Sequence, residues 1–427
     1  MSHKLRALTL VALFGVPTPL LAQSDSTWRD HNRAAQAAIA AGDWTAARRQ
    51  LLEVDRLLGG HPSIAFALSR AALHLGDTAQ AVAQVERVAA MGVVTRAITD
   101  PLFDGLRAMP PFQAAAAAIA ANASTIGSAQ LVATIPDTAA IAEDLAWDAP
   151  RRRFLVSDVR GHRLLSLGLD GRVAPFGEPM APGWSVLAVG VDRRNAVAWA
   201  TTATLPQAEG YAARDSGHAA ILLLDLAGGS VRRRFELPAP SLSAPGDLAI
   251  AENGDVFFGD GMTGAVRVIR AGRDTIETLV SAERIHGTQQ PAIAPDRQTL
   301  FIADYGRGIA RIDRTSGALT WLDHGPNVTL TGIDGLLMHG RELIAVQNGV
   351  SPGRIVRLTL DPALRAVTGA EILLRDTTLA PEPTHAVLVG DELFLIGNAG
   401  WDKYGDDGTP KAGVRFTAPR LLRLRLR

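Results

Sequence analysis

The larger, C-terminal part of the chain repeats a β-rich phrase that ends in Asp or Asn at nearly even spacing. The phrase stands at 153–158, 255–260, 299–304, 343–348 and 393–398. Its end residues Asp260, Asp304 and Asn348 follow one another at intervals of 44 residues. Because units of this kind cover their apolar faces only by stacking, the repeat predicts successive β modules, and at this spacing the blades of a propeller.

The starts of the predicted innermost strands indicate six blades. They lie near Glu143, 185–187, Gly246, Gln289, Asp334 and 384–385. The strand predicted at 130–135 has no hairpin partner beside it, whereas 420–426 alternates apolar and polar residues as a strand does. We therefore predict that these two segments pair and close a ring. The expected fold is mainly β, a six-bladed β-propeller over 129–427.

The residues before the propeller predict a small all-α domain over 26–121. Gly42 and Gly76 are 34 residues apart, and each is followed by Asp and a short Ala-rich stretch. This spacing resembles tetratricopeptide repeats, in which a small residue after the turn lets paired helices approach closely. Two interpretations stay open: a groove that binds a protein partner, and a helical cap packed on the propeller.

The N-terminus has the order of a secretory signal peptide over 1–22. Lys4 and Arg6 precede the apolar run 7–16, and a small residue stands at Ala22. The run is too short for a transmembrane helix, which needs about 20 apolar residues. We expect a soluble periplasmic or secreted protein without membrane insertion.

Composition adds two exclusions. The chain has 43 basic and 43 acidic residues, so no excess positive charge favours nucleic acid as a partner. It contains no cysteine, which rules out a disulfide framework.

Polar residues occupy one position in several predicted inner strands. Glu143, Gln289 and Asp334 each stand four residues before a large apolar residue, whereas Gly246 has no polar group and is followed by Asp247. If the strands surround a channel, these oxygens converge, and a hard cation such as calcium takes six to eight of them. The alternative is a wet channel whose polar lining binds only water.

Three phrases around these positions carry a family resemblance. Glu143-Asp-Leu-Ala-Trp147 is similar to a Glu-Gly-Pro-x-Trp phrase, 291–304 to an Asn-Gly-Ile-Ala-x-Ser-Pro-Asp-Gly phrase, and 333–336 to an Asp-Gly phrase. They are phrases of the senescence marker protein (regucalcin) and gluconolactonase family, and the resemblance covers about 135–427. It implies a six-bladed propeller that holds a divalent cation, often calcium, and hydrolyses sugar lactones.

By this resemblance Glu143, Gln289 and Asp334 would be metal ligands, and Asp334 also the catalytic acid or base. Gln289 stands where the family has a ligand Asn, and Gly246 stands where it has a second Asn, so that only the adjacent Asp247 remains there. Asp247 and His385 are the candidate substrate-binding residues. Two functions follow. One is an exported protein that binds a small molecule, glycan or protein partner at the channel mouth, with a structural calcium. The other is a metal-dependent lactonase or related hydrolase.

Overall fold

The computed structural model describes residues 27–240 and 242–426. The predicted signal peptide, 1–22, lies outside the described residues and stays a prediction. None of the helices in the described part of the chain is long and apolar enough to cross a membrane.

The N-terminal region is helical, as predicted. Its helices are α1 (Trp28–Ala40), α2 (Trp44–Leu58), α3 (Pro62–His74), α4 (Thr78–Ala90) and α5 (Pro110–Ala121), with 3-10 turns at Arg96–Ile98 and Pro101–Leu106. Gly42 and Gly76 have φ values of 72° and 74°, a left-handed conformation that ends one helix and that glycine adopts at low cost. The Asp after each glycine accepts a backbone N–H at the start of the next helix. These turns explain the repeated Gly-Asp pair.

The remainder of the described chain forms the predicted six-bladed β-propeller, in which each blade is an antiparallel sheet and blade 5 gains one parallel edge strand, β18. The strands are β1 (Gln130–Thr134), β2 (Ala142–Asp148), β3 (Arg153–Asp158), β4 (Arg163–Gly168), β5 (Val173–Phe176), β6 (Trp184–Asp192), β7 (Val197–Thr204), β8 (Ala219–Asp225), β9 (Val231–Glu236), β10 (Pro245–Ile250), β11 (Val256–Asp260), β12 (Val266–Ile269), β13 (Ile276–Val280), β14 (Thr288–Ile293), β15 (Thr299–Asp304), β16 (Gly308–Asp313), β17 (Leu319–Trp321), β18 (Asp323–His324), β19 (Ile333–His339), β20 (Glu342–Gln347), β21 (Arg354–Leu360), β22 (Ala366–Leu374), β23 (Ala386–Val389), β24 (Glu392–Ile396) and β25 (Arg420–Arg425). Blades 1 to 5 begin at β2, β6, β10, β14 and β19, and blade 6 has the order β23-β24-β25-β1.

The ring closes through blade 6, where the chain's first strand pairs with its last. β1 is antiparallel to β25, with Gln130 opposite Arg423 and Thr134 opposite Arg420. The predicted pairing of 130–135 with 420–426 is confirmed. A closed ring leaves only short strand edges at its rim and none between its first and last blades.

The innermost strands of blades 1 to 5 share an irregularity at one level. There the register with the second strand shifts, so the inner strand has an extra residue. Such a β-bulge turns side chains away from the regular alternation. The residues in the shifts are 143–144, 187, 246–247, 289–290 and 334. Four of these five bulges contain a polar position predicted from the sequence.

The helical region packs against blade 5 and the segment that follows it. The Arg354 side chain, at the start of β21, is buried and donates to Met91 O at 2.9 Å and Gly92 O at 3.0 Å. Val94 N donates to Ser351 O at 2.8 Å, and Arg375 donates to Ser124 O at 2.7 Å. The contacts are those of a helical cap; a protein-binding groove stays a prediction.

We expect Arg354→Met to weaken this attachment. The change removes three hydrogen bonds of a buried guanidinium, to Met91 O, Gly92 O and the Gln347 side chain, which should lower the free energy of unfolding by about 3 kcal/mol. Guanidinium denaturation measures the loss, and limited proteolysis should show faster cleavage within 122–129. Arg341→Met, at an exposed arginine with a single backbone contact, is the control. Equal stability of the two variants would contradict the assignment.

Candidate functional site

Four carboxyl groups and one imidazole converge where the inner strands begin. The residues are Glu143 and Asp144 of blade 1, Asp247 of blade 3, Asp334 of blade 5 and His385 before β23, and together they are called the acid cluster below. Ligand atoms of Glu143, Asp334 and His385 lie within 4.8 Å of one another, and so do those of Asp144, Asp247 and His385. The ring therefore gathers side chains that are far apart in sequence.

His385 lies at the centre of the acid cluster and is fully buried. Its Nε2 is 2.7 Å from Asp247 Oδ2, and its Nδ1 is 3.1 Å from the Glu143 carbonyl oxygen. A carbonyl oxygen only accepts, so Nδ1 carries a proton; opposite a carboxylate, Nε2 carries one as well. Burial alone would lower the pKa of His385, but the carboxylates of Asp247 and Asp334 raise it well above its ordinary value. The ring is thus an imidazolium with both N–H groups engaged.

Asp144 has a structural position. It accepts Leu145 N at 2.7 Å and, across the blade interface, Val189 N at 2.9 Å. Burial raises the pKa of this carboxyl to about 7, against the opposing effect of the His385 charge. Asp144 therefore ties blade 1 to blade 2.

Glu143 and Asp334 are each oriented by a neutral N–H donor. Trp401 Nε1 donates to Glu143 Oε2, and Asn348 Nδ2 donates to Asp334 Oδ2 at 2.6 Å. Burial raises the pKa of Asp334 to about 6; burial and the Asp334 charge raise the pKa of Glu143 well above its ordinary value. Tyr305 extends the chain of contacts, since its hydroxyl donates to Asn348 Oδ1 at 2.9 Å.

The acid cluster has more carboxyl groups than its one cation can neutralise. Among the described residues no Arg or Lys forms a salt bridge with any of the four carboxyls. Carboxylates buried together must hold protons or bind a cation. The available donors are mainly oxygens, which suit a hard ion such as Ca²⁺, Mg²⁺ or Mn²⁺. The donor set thus fits a divalent cation between Glu143 and Asp334.

The structure brings four of the five predicted site residues together: Glu143, Asp334, Asp247 and His385. The fifth, Gln289, lies half-buried in the bulge of blade 4, so its role as a ligand stays a prediction. Its neighbour Gln290 is buried and accepts Leu336 N at 2.7 Å, which joins blades 4 and 5.

Sequence reasoning missed Asp144 as part of the site, although it adjoins Glu143. It also missed the orienting role of Asn348, which stands at the end position of the repeated phrase. The end of the repeated phrase lies beside the start of the inner strand, so Asn348 could have been predicted to lie at the same end of the channel as Asp334.

A larger cavity lies at the opposite end of the channel and holds none of these groups. It measures about 860 Å³ and is lined by Ile250, Ile293 and Met338, near the ends of inner strands whose starts hold the acid cluster. Its one carboxylate, Glu252, is paired with Arg297. The cavity and the acid cluster are therefore separate features of the channel.

Neither protein-family models nor curated protein sequences match the chain. Among solved structures, a gluconolactonase from Xanthomonas campestris is 18% identical, with a TM-score of 0.46, and the match covers 71% of this chain and 93% of that one. A putative glucose dehydrogenase from Thermus thermophilus is 15% identical (TM-score 0.48; 70% and 100% covered). A luciferin-regenerating enzyme is 13% identical (TM-score 0.49; 71% and 95% covered). At these identities the likeness concerns the fold and assigns no activity.

Replacing the central imidazolium tests the electrostatics of the acid cluster. In the presence of a chelator we expect His385→Gln to lower the free energy of unfolding by about 3 kcal/mol at pH 8, because it removes the charged imidazole from a group of four carboxyls, three of which are buried. The charge of His385 lowers the pKa of Asp144 and of Asp334, so without it these two carboxyls should hold their protons to a higher pH than in wild type.

Thr384→Val is the matched control for this experiment. Its hydroxyl donates to the same Glu143 carbonyl at 2.8 Å but carries no charge, so its loss should cost about 1 kcal/mol. Urea denaturation at pH 8 measures both variants. A neutral His385 ring in the 15N NMR spectrum of wild type at pH 8, or equal losses in the two variants, would refute the charged state assigned to the ring.

Proposed function

We propose that the protein is a divalent-cation-dependent hydrolase of lactones or related esters, with its reaction centre at Glu143 and Asp334. The observation that carries the proposal is the excess of buried carboxyl groups in the acid cluster. Burying like charges costs several kcal/mol, and such a cost is kept mainly where binding or chemistry needs it. The regucalcin and gluconolactonase resemblance supports the same residues, because Glu143 and Asp334 match that family's ligand positions.

Glu143 and Asp334 would hold the cation, with calcium as the first candidate. When bound, a divalent cation supplies Lewis acidity toward a carbonyl oxygen and binds water. The carboxylates are fixed in advance by Trp401 and Asn348, so little reorganisation is needed on binding. Gln289, from the neighbouring bulge, is the proposed amide ligand.

Asp334 is the proposed acceptor of the proton from the attacking water. Asn348 holds its Oδ2, so Oδ1 is the atom assigned to this transfer. His385 is not assigned a proton transfer, since both of its nitrogens donate to fixed partners. Its part is to hold Asp247 and to limit the negative charge of the acid cluster.

Export to the periplasm or the medium belongs to the proposal and rests on the N-terminal sequence. Extracellular calcium sites bind with dissociation constants of about 10⁻⁴ to 10⁻³ M, which a site with two carboxylates would suit.

Ligand binding without chemistry is a second candidate function. The observation that favours it is the cavity of about 860 Å³ at the other channel end, where apolar side chains meet the guanidinium of Arg314. A small molecule or glycan bound there would not contact the acid cluster. Hydrolysis that requires Asp334 favours the hydrolase, and binding without hydrolysis favours the second function.

Cation binding should raise the melting temperature. A ligand at 100 times its dissociation constant stabilises the native state by about 2.7 kcal/mol, so we expect a shift of several degrees with calcium and none with chelator. Glu143→Gln and Asp334→Asn should each remove most of the shift. Asp313→Asn, at an exposed turn of blade 4, should keep it. A melting temperature that no divalent cation changes would refute the metal centre.

Hydrolysis should depend on Asp334. On a panel of sugar and alkyl lactones with added cation, we expect Asp334→Asn to lower kcat/KM at least 100-fold while Asp313→Asn stays near the wild-type value. Equal rates in wild type and Asp334→Asn would remove Asp334 from the mechanism. Tight binding of a lactone without turnover would favour the binding function.

A further inference from the structure

A cavity of about 290 Å³ lies between the helical region and the propeller. The helical region contributes the start of α3, including Ser63, and the segment with Val93 and Val94. The propeller contributes loops of blades 4 and 5, with Tyr305 and Val350. The cavity therefore exists only because the two regions are packed together.

The loops and segments that form both walls of this cavity are closely packed. Two glycines of the propeller loops allow the close approach: a Cβ on Gly349 would lie 2.7 Å from Tyr305 Cζ, and one on Gly332 would lie 2.6 Å from Gly349 Cα. On the other wall, Val94 N donates to Ser351 O. The lining loops are thus held in place by backbone packing and by the contacts of the helical region.

Tyr305 connects this cavity to the acid cluster. Its ring lines the cavity, and its hydroxyl donates to Asn348, which in turn donates to Asp334. The two hydrogen bonds measure 2.9 and 2.6 Å, so the wall of the cavity is one side chain away from the proposed reaction centre. Burial, followed by the charges of Asp334 and Glu143, raises the pKa of Tyr305 to about 12, which keeps the phenol protonated as a donor.

The lining selects against charged ligands. None of the described residues that line the cavity is Asp, Glu, Lys or Arg. Its one titratable imidazole, His61, has a pKa lowered by burial, which favours the neutral ring. Pro62, Val93, Val94 and Val350 give apolar surface, and Ser63 and other hydroxyls give neutral polar contacts. The volume is near the low end of small-molecule sites, about 300 Å³.

We propose that this interdomain cavity is a substrate subsite, which binds the uncharged alkyl portion of the lactone or ester whose carbonyl reaches Asp334. The proposal rests on the proposed hydrolase function and adds the substrate class. The helical region is then a specificity element of the site, since it supplies one wall of the cavity.

Filling the cavity from the helical side tests this subsite. Ser63 and Ala79 are the second residues of α3 and α4, and both are exposed, but only Ser63 lies at the cavity. Ser63→Trp should occupy the cavity, whereas Ala79→Trp makes the same addition at the same helical position without reaching it. The probes are γ-octalactone, which carries a butyl chain, and γ-butyrolactone, which has none.

Dissociation constants are measured by calorimetry on full-length protein with chelator, so that hydrolysis does not interfere. We expect wild type and Ala79→Trp to bind γ-octalactone at least 10-fold more tightly than γ-butyrolactone, because the butyl chain is buried. Ser63→Trp should lose this preference and leave γ-butyrolactone binding within 2-fold. A wild type without the preference, or a Ser63→Trp that keeps it or weakens both lactones equally, would overturn the subsite.

The kcat/KM for both lactones in cation-loaded protein separates the two proposals. A chain-length preference in binding without any hydrolysis supports the subsite and refutes the hydrolase. Hydrolysis without a chain-length preference refutes the subsite and supports the hydrolase.

Discussion

The pairing of β1 with β25 is the constraint on which the rest of the propeller depends. It holds the last blade against the first, and the acid cluster crosses that seam: Thr384 and His385, before β23, both contact the carbonyl of Glu143 in β2. These residues are more than 240 positions apart, so no local preference brings them together. Apolar clusters between the blades stabilise the ring, and only this closed ring turns scattered polar residues into a site.

Within the ring, the β-bulges decide which side chains reach the axis. A regular inner strand alternates its side chains between the two blade interfaces, where Leu145 and Ala146 are buried in apolar clusters. The extra residue at 143–144 interrupts this alternation, so that Glu143 contacts Trp401 while Asp144 accepts the backbone N–H of Val189 in blade 2. Two consecutive carboxyls can thereby find polar partners beside the apolar clusters that hold the blades together.

The ring could be predicted from sequence because the last residue of the repeated phrase stabilises a turn in successive blades. Asp260 accepts backbone N–H groups of 244, 262 and 263, and Asp304 accepts those of 286 and 306. The terminal Asp thus fixes the loop after the second strand of its blade, which is why it recurs. In blade 5 the same position is Asn348, which contacts Asp334 instead. In the sequence, Asp260, Asp304 and Asn348 belong to one evenly spaced pattern. Only their contacts in the folded protein distinguish the aspartates, which stabilise turns, from Asn348, which contacts the acid cluster. The β-bulges could not be predicted from sequence either, because a bulge is defined by how two strands pair and not by the residues of one strand.

The place of the helical region was not readable from sequence, because its anchor is a buried arginine whose partners are backbone carbonyls. Arg354 joins Met91 and Gly92 to the Gln347 side chain, whose amide donates to Thr329 O and Thr331 O. The residue after Gln347 is Asn348, so the side chain that accepts from Arg354 and the orienting partner of Asp334 are consecutive in the chain. The helical cap is therefore attached at the strand end that also carries the orienting partner of Asp334. This adjacency gives the helical region a physical reason to accompany the propeller.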